Sequence, residues 1–161
     1  MAYLEDGDLI RADVEKNMRH AGLSARERRR RVERILRRWI KHYHYTPDVV
    51  AMETLVSRQR NQNPHRTQFV NDIKRFCTRD GLRVEEYAPQ AVHRFVCPES
   101  RVTQLRIAEV IATKYFPWLY RFYEKEAAKP WYEPLRYWTT MFDAIAVALT
   151  AAGERAERDG A

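Results

Sequence analysis

The sequence predicts an α/β chain with a mixed sheet. Three observations carry this. Short apolar runs alternate with stretches whose apolar residues recur at three- and four-residue steps. Asp-Gly pairs stand at 6–7 and 80–81, each where one pattern stops and another starts. The resulting order is hairpin, helix, strand, helix, strand and then helices, the alternation that builds a sheet flanked by helices.

The hairpin is Ala2 to Glu5, Asp6-Gly7, then Asp8 to Val14, because Asp-Gly is a strong two-residue turn. A long helix is predicted over 24–45. Ser24 and Glu27 form a capping box, and Val32, Ile35, Leu36, Trp39, Ile40 and Tyr43 make one apolar stripe. Arg28, Arg29, Arg30, Arg31, Arg34, Arg37 and Arg38 fill its other sides. The plainer reading of that run is a solvated face, with contacts to DNA the sharper one. Thr46-Pro47-Asp48 ends the helix, since the residue before proline avoids helical geometry.

Val49 to Met52 then reads as a buried strand, and Asn61 to Pro64 as a loop. Residues 65–79 are predicted helical with Phe69, Ile73 and Phe76 on one face, and Leu82 to Tyr87 is the next strand. Ala88-Pro89 opens a short helix through Phe95, and 101–114 is helical again. Residues 115–138 gather aromatic side chains, including Phe116, Trp118, Tyr120, Phe122, Trp131, Tyr132 and Trp138. Packing explains such a density better than base stacking does, with one or two rings left exposed. The last helix is predicted from Trp138 to Ala152. One domain over 1–153 and a polar, frayed tail over 154–161 complete the expectation.

Composition bounds the function. A chain of 161 residues with 45% hydrophobic side chains can bury a core, which excludes disorder across its whole length. A net charge of +7, carried mostly by arginine, puts nucleic acid first among partners. No apolar run approaches a membrane span, and MAYLEDGD lacks the apolar core of a signal peptide. Cys77 and Cys97 form neither a disulfide framework nor a zinc motif, so an intracellular, cytoplasmic location with reduced thiols is expected.

Two carboxylates stand out. Glu53 closes an apolar strand and is followed by Arg58, Arg60 and Asn61. A buried unpaired carboxylate costs several kcal/mol, so Glu53 is a surface residue, half of an ion pair, or a ligand. Asp143 lies in TTMFDAIAVALTAA, on a helix with an apolar, small-residue face. Ions of the magnesium class bind through one or two carboxylates and complete their shell with water and phosphate. Residue chemistry alone leaves a metal role for this pair beside the plainer reading of two polar edge residues. His42 and His44 are two apart on a helix and cannot chelate together, and His65 and His93 are isolated.

The ordered blocks resemble a known family. PDVVAMETL (47–55) resembles the strand of RuvC-like Holliday junction resolvases that ends in a catalytic glutamate. GLRVEEYAPQAVHRFV (81–96) is similar to that family's next strand and its Tyr-x-Pro-x-x-Val-basic helix. FDAIAVALTAA (142–152) resembles its C-terminal helix. The resemblance implies an RNase H-like fold, magnesium- or manganese-dependent cleavage of branched DNA such as a four-way junction, and a homodimer. It implies catalytic and metal-holding roles for Glu53 and Asp143. Residues 65–79 match the helix that helps form the family's dimer, and their apolar face offers a surface for it.

The chain departs from the family in several places. Thr140 stands where the family's other C-terminal acid lies, three residues before the matched aspartate. His93, with Arg94 beside it, takes the position of a lysine. The loop CPESRVTQ replaces a Gly- and Lys-bearing one, with Arg101 and Arg106 as substitute charge. Arg58, Arg60 and Arg66 follow the glutamate and are candidates to hold phosphates or the crossover. The family's first strand, with its aspartate, has no counterpart, so the chain reads as an N-terminally truncated RNase H-like domain whose hairpin matches the second and third strands. Two rival readings are a catalytically dead RNase H-like binding module and a basic helical subunit of a nucleoprotein complex.

Overall fold

A computed structural model describes residues 1–12, 24–43, 47–54, 64–99, 102–130 and 137–160. The far end of the predicted hairpin at Val14, the helix end at 44–45, the loop at 61–63, Arg58, Arg60, Arg101, Trp131 and Tyr132 lie outside them. The chain gathers into two compact units. One comprises Met1–Lys16 with Tyr87–Ala161, the other Asn17–Glu86.

The first unit opens with the hairpin of β1 (Ala2–Glu5) and β2 (Asp8–Ala12), paired antiparallel with a register shift between Tyr3 and Leu4. Asp6 and Gly7 both take positive φ, 49° and 87°, which is what a two-residue turn matched to strand twist requires. Glycine has no Cβ to resist this, and aspartate is among the few residues that tolerate it.

In the second unit α1 (Ala25–Tyr43) begins as its sequence predicts. The Ser24 backbone N–H donates to Glu27 Oε2 at 2.8 Å, and the Glu27 N–H donates back to Ser24 Oγ at 3.3 Å. The strand β3 (Val49–Glu53) follows, then α2 (Pro64–Arg79) and β4 (Arg83–Tyr87). β3 pairs with β4, and β1 with β2, in separate two-stranded sheets. β3 is half-buried along its whole length rather than buried. Its Val50 nevertheless packs on the cluster of Phe76, Cys77 and Leu82, together with Leu36 and Ile40 of α1 and Ile73 of α2.

Gly81 ends α2 cleanly. At φ 73° it lets its own N–H reach Thr78 O at 3.3 Å and the Leu82 N–H reach Cys77 O at 2.8 Å. Leu82 is thereby turned back onto Phe76, the apolar contact that accompanies this helix ending. The Ile73–Phe76 face of α2 is spent on α1 and the strands. Ile73 and Phe76 therefore serve this unit's own core: an apolar stripe shows that a helix packs, not on what.

The rest of the first unit is helical. The helix α3 (Pro89–Val96) buries Val92 and Val96. Thr103 then caps α4 (Gln104–Val110) by accepting the Arg106 N–H at 3.2 Å, so the helix starts at 104 rather than 101. α4 runs on into a π-helical turn over Ile111–Tyr115, closed by the Phe116 N–H to Ile111 O at 2.8 Å. A short 3₁₀ turn leads to α5 (Tyr120–Ala127). Finally α6 (Tyr137–Asp159) packs on β1, α3 and α4. Its buried Phe142, Ile145 and Ala146 join Ile107, Ala108 and Ile111 among the core residues of this unit.

α6 continues through Asp159, past the end expected near Ala152. Polar helix-forming residues extend it, with Arg158 donating to Glu154 O at 3.1 Å and Arg155 lying 3.9 Å from Asp159. The aromatic segment splits as its composition suggests. Phe116 is buried and Phe122 packs on Trp138 with ring centroids 4.4 Å apart, while Trp118 and Tyr120 are 52% and 43% exposed.

Candidate functional site

Glu53 is the last residue of β3 and is half-buried. Among the described residues its carboxylate has no hydrogen-bond or ion-pair partner. Of the three explanations open to a charge at the end of an apolar strand, the ion pair is thus removed for the described part of the chain. Both carboxylate oxygens keep lone pairs available to water or to a cation.

Asp143 sits on α6 between the buried Phe142 and the half-buried Ala144. Its Oδ2 accepts from Gln104 Nε2, near the start of α4, at 3.3 Å. The α6 core stripe fixes this arrangement. Met141, Phe142, Ile145 and Ala146 are buried, which leaves Asp143 half-buried at the edge of the stripe. Thr140, where the resemblance would have another acid, is exposed one turn earlier.

The candidate cations are less uniform. His93 and Arg94 occupy the last turn of α3, His93 half-buried and Arg94 exposed. Arg66 falls within α2, but its side chain lies outside what the structure describes. Arg106 is held between two carboxylates, Glu99 and Glu109, each at 2.8 Å. Those hydrogen bonds push its guanidinium further from deprotonation and hold Glu99 below the usual carboxylate range. A phosphate reaching Arg106 must compete with both.

Sequence reasoning missed four contributors. Gln104 gives no sign in the sequence that it faces an aspartate in another helix. Glu99 and Glu109 neutralise a residue read as a free cation. Glu126, in YRFYEKEA, looks like one more surface charge, yet it is 1% exposed. Its Oε1 accepts from Lys129 Nζ at 2.7 Å and from the Trp138 backbone N–H at 3.0 Å. The second contact satisfies an otherwise orphan donor in the first turn of α6, the helix that carries Asp143. Oε2 is buried and has no hydrogen-bond partner among the described residues. Among the described residues, no three His, Cys, Asp or Glu side chains gather closely enough to hold a metal ion.

No protein-family model matches the chain, and no curated protein does. Solved structures do. The chain is similar to Thermus thermophilus RuvC at 19% identity, with a TM-score of 0.61 over 91% of this chain and 78% of that one. It is similar also to T. thermophilus RuvC in complex with a Holliday junction substrate, at 18% identity, with a TM-score of 0.62 over 96% of this chain and 85% of that one. The chain has a RuvC-like fold. The RNase H-like architecture implied by the three sequence blocks is therefore the one found, and the likeness extends well beyond the blocks. Among the described residues no helix is long and apolar enough to cross a membrane.

Proposed function

We propose that this chain is a metal-dependent, structure-selective endodeoxyribonuclease acting on branched DNA. The observation that supports this reading most is the RuvC-like fold across nearly the whole chain, including a neighbour solved on a Holliday junction. In this reading Glu53 and Asp143 hold magnesium or manganese. The donor chemistry fits: both are carboxylates, Glu53 has no competing partner among the described residues, and hard cations of this class take the rest of their shell from water and phosphate. Bound there, such an ion would lower the pKa of a water and offset the negative charge that builds on the phosphoryl oxygens.

The protein's own groups do the positioning. Gln104 holds the orientation of the Asp143 carboxylate through its amide. Arg58, Arg60 and Arg66 follow the glutamate in sequence and hold the phosphates or the crossover. His93 and Arg94 supply charge from the end of α3, with Arg101 and Arg106 in the segment after it. The active species in this reading is an intracellular homodimer.

A second reading has a specific observation behind it. Thr140 replaces an acid, and no triad of acidic or other metal-ligating side chains forms among the described residues. This favours a junction-binding module that does not cut. One experiment separates the two. An end-labelled four-way junction and a linear duplex of the same sequence are incubated with the protein, with magnesium, with manganese and with chelator. Cleavage confined to the junction and to the metal-containing arms supports the nuclease. Junction binding without cleavage in any arm supports the module, and equal binding to both DNAs removes structure selectivity from either reading.

A further inference from the structure

The arginine run on α1 is not uniformly solvated. Several of its members are paired off against α2 and the turn after it. Arg29 Nε lies 3.3 Å from Asp72 Oδ1, and Arg37 Nη2 lies 3.7 Å from Asp80 Oδ2. Asp72 is buried and also accepts from Gln68 at 2.9 Å. Arg79 of α2 answers in the other direction, donating to Glu33 of α1 at 2.7 Å and stacking over Phe76 at 5.4 Å. These contacts ring the apolar seam between the two helices.

Arg26, Arg30 and Arg34 belong to none of them. All three are exposed, and among the described residues none has a carboxylate within ion-pair distance. Glu27 feels the charge of Arg30, but its carboxylate is occupied by the Ser24 cap. Glu33 is occupied by Arg79. The three follow one another at four-residue steps, so they form a single ridge along the helix. Beside the ridge lies an open groove of about 390 Å³ lined by Arg30, Glu33, Arg34, Arg37 and Arg38.

We propose that this ridge of α1 is a nucleic-acid contact surface, which grips the phosphates of a duplex arm independently of the carboxylate site. Two arguments favour DNA over an acidic protein. The ridge spans about 12 Å at a rise of roughly 1.5 Å per residue, and phosphates on one strand recur about every 3.4 Å along the duplex axis. Three cations at this spacing serve a run of three to four phosphates. Every basic residue between Ala25 and Ile40 is arginine rather than lysine, and the guanidinium fork matches phosphate oxygens two at a time. Contacts of this kind carry no base preference. They suit a protein that recognises the shape of DNA and needs purchase on its arms.

The inference rests on the reading that the chain binds DNA, and its test separates the two. Binding of a fluorescent four-way junction and of a linear duplex is followed by anisotropy in chelator, across a potassium chloride series. The variant Arg26→Gln/Arg30→Gln/Arg34→Gln is expected to bind at least about tenfold more weakly at low salt. The slope of log affinity against log salt should become shallower by about 2 to 3, because up to three fewer counterions are released. The triple lysine variant should keep most of the slope, and Arg30→Gln alone should remove about one third of the change. If the natural chain binds DNA and the triple glutamine variant matches it in affinity and slope, the ridge is solvated surface and only this inference falls. If the natural chain binds no DNA, both readings fall. Loss of binding to poly-L-glutamate with DNA binding untouched also overturns the inference, in favour of an acidic protein partner.

Discussion

The side-chain amide of Gln104 reaches Asp143 Oδ2 at 3.3 Å, tying the first turn of α4 to α6. This contact orients a half-buried carboxylate. If Asp143 holds a cation, Asp143→Asn lowers junction cleavage by about 10²-fold or more, because the charge is lost while the shape is kept. Gln104→Ala is expected to lower it by about tenfold, the cost usual for a residue that only orients a ligand. Single-turnover cleavage rates check both, and equal effects of the two changes would contradict this division of roles.

Glu53→Gln makes a different demand. Since no described residue pairs with this carboxylate, its removal strands no partner. The unfolding midpoint in urea should move by no more than about 0.5 kcal/mol in equivalent stability, the usual range for a site away from any network. Cleavage should fall below detection and junction binding in chelator should persist. A large loss of stability would show that Glu53 anchors the fold.

Glu126 is expected to behave in the opposite way. Glu126→Ala removes the buried carboxylate that accepts from the Trp138 N–H and the Lys129 ammonium. Breaking a fully buried pair costs about 3–5 kcal/mol, and the partial exposure of Lys129 lowers the expectation here to about 2–3 kcal/mol. Glu126→Gln keeps an acceptor at Oε1 and should cost about 1 kcal/mol. Urea unfolding monitored by helical circular dichroism measures both, and the Gln variant should recover most of the loss.

The capping box gives a pH dependence. Hydrogen bonds from Ser24, first from its side chain and then from its backbone, hold the Glu27 carboxyl below its ordinary value of 4.5. A carboxyl depressed on folding stabilises α1 while it is ionised, so the contribution is present above about pH 4.5 and disappears as pH falls through the lowered value. The helical signal of Glu27→Gln should therefore lack the part of the acid transition that lies below pH 4.5. An acid limb identical to that of the natural chain would mean that the box contributes nothing.

What the sequence makes legible is mostly local. Asp6-Gly7 specifies its turn because only a few residue types tolerate the backbone there, and Ser24 with Glu27 specifies a helix start through two reciprocal bonds. The end of α2 at Gly81 is legible for the same reason. The partners of charges are not legible. Arg29 and Arg26 are indistinguishable in the sequence, yet one meets Asp72 on another helix and the other meets nothing described. Glu126 is hidden for the same reason, since its burial depends on where α6 begins. The end of α6 is not legible because its last polar residues suit solvent and helix equally well, and only the fold supplies their partners one turn away.

Each compact unit contains one fully buried cysteine, Cys77 in the Asn17–Glu86 unit and Cys97 in the other. Burial pushes the Cys77 thiol up from its ordinary value, with Asp80 adding to the effect, so it is a poor nucleophile while that unit stays closed. A thiol-trapping reagent supplied in excess can modify either sulfur only in molecules that have opened around it. Mass spectrometry of the two labelled peptides over time then turns the pair into separate stopwatches, one for each unit. Equal labelling rates would mean that the protein opens as one cooperative body, and unequal rates would show which half yields first.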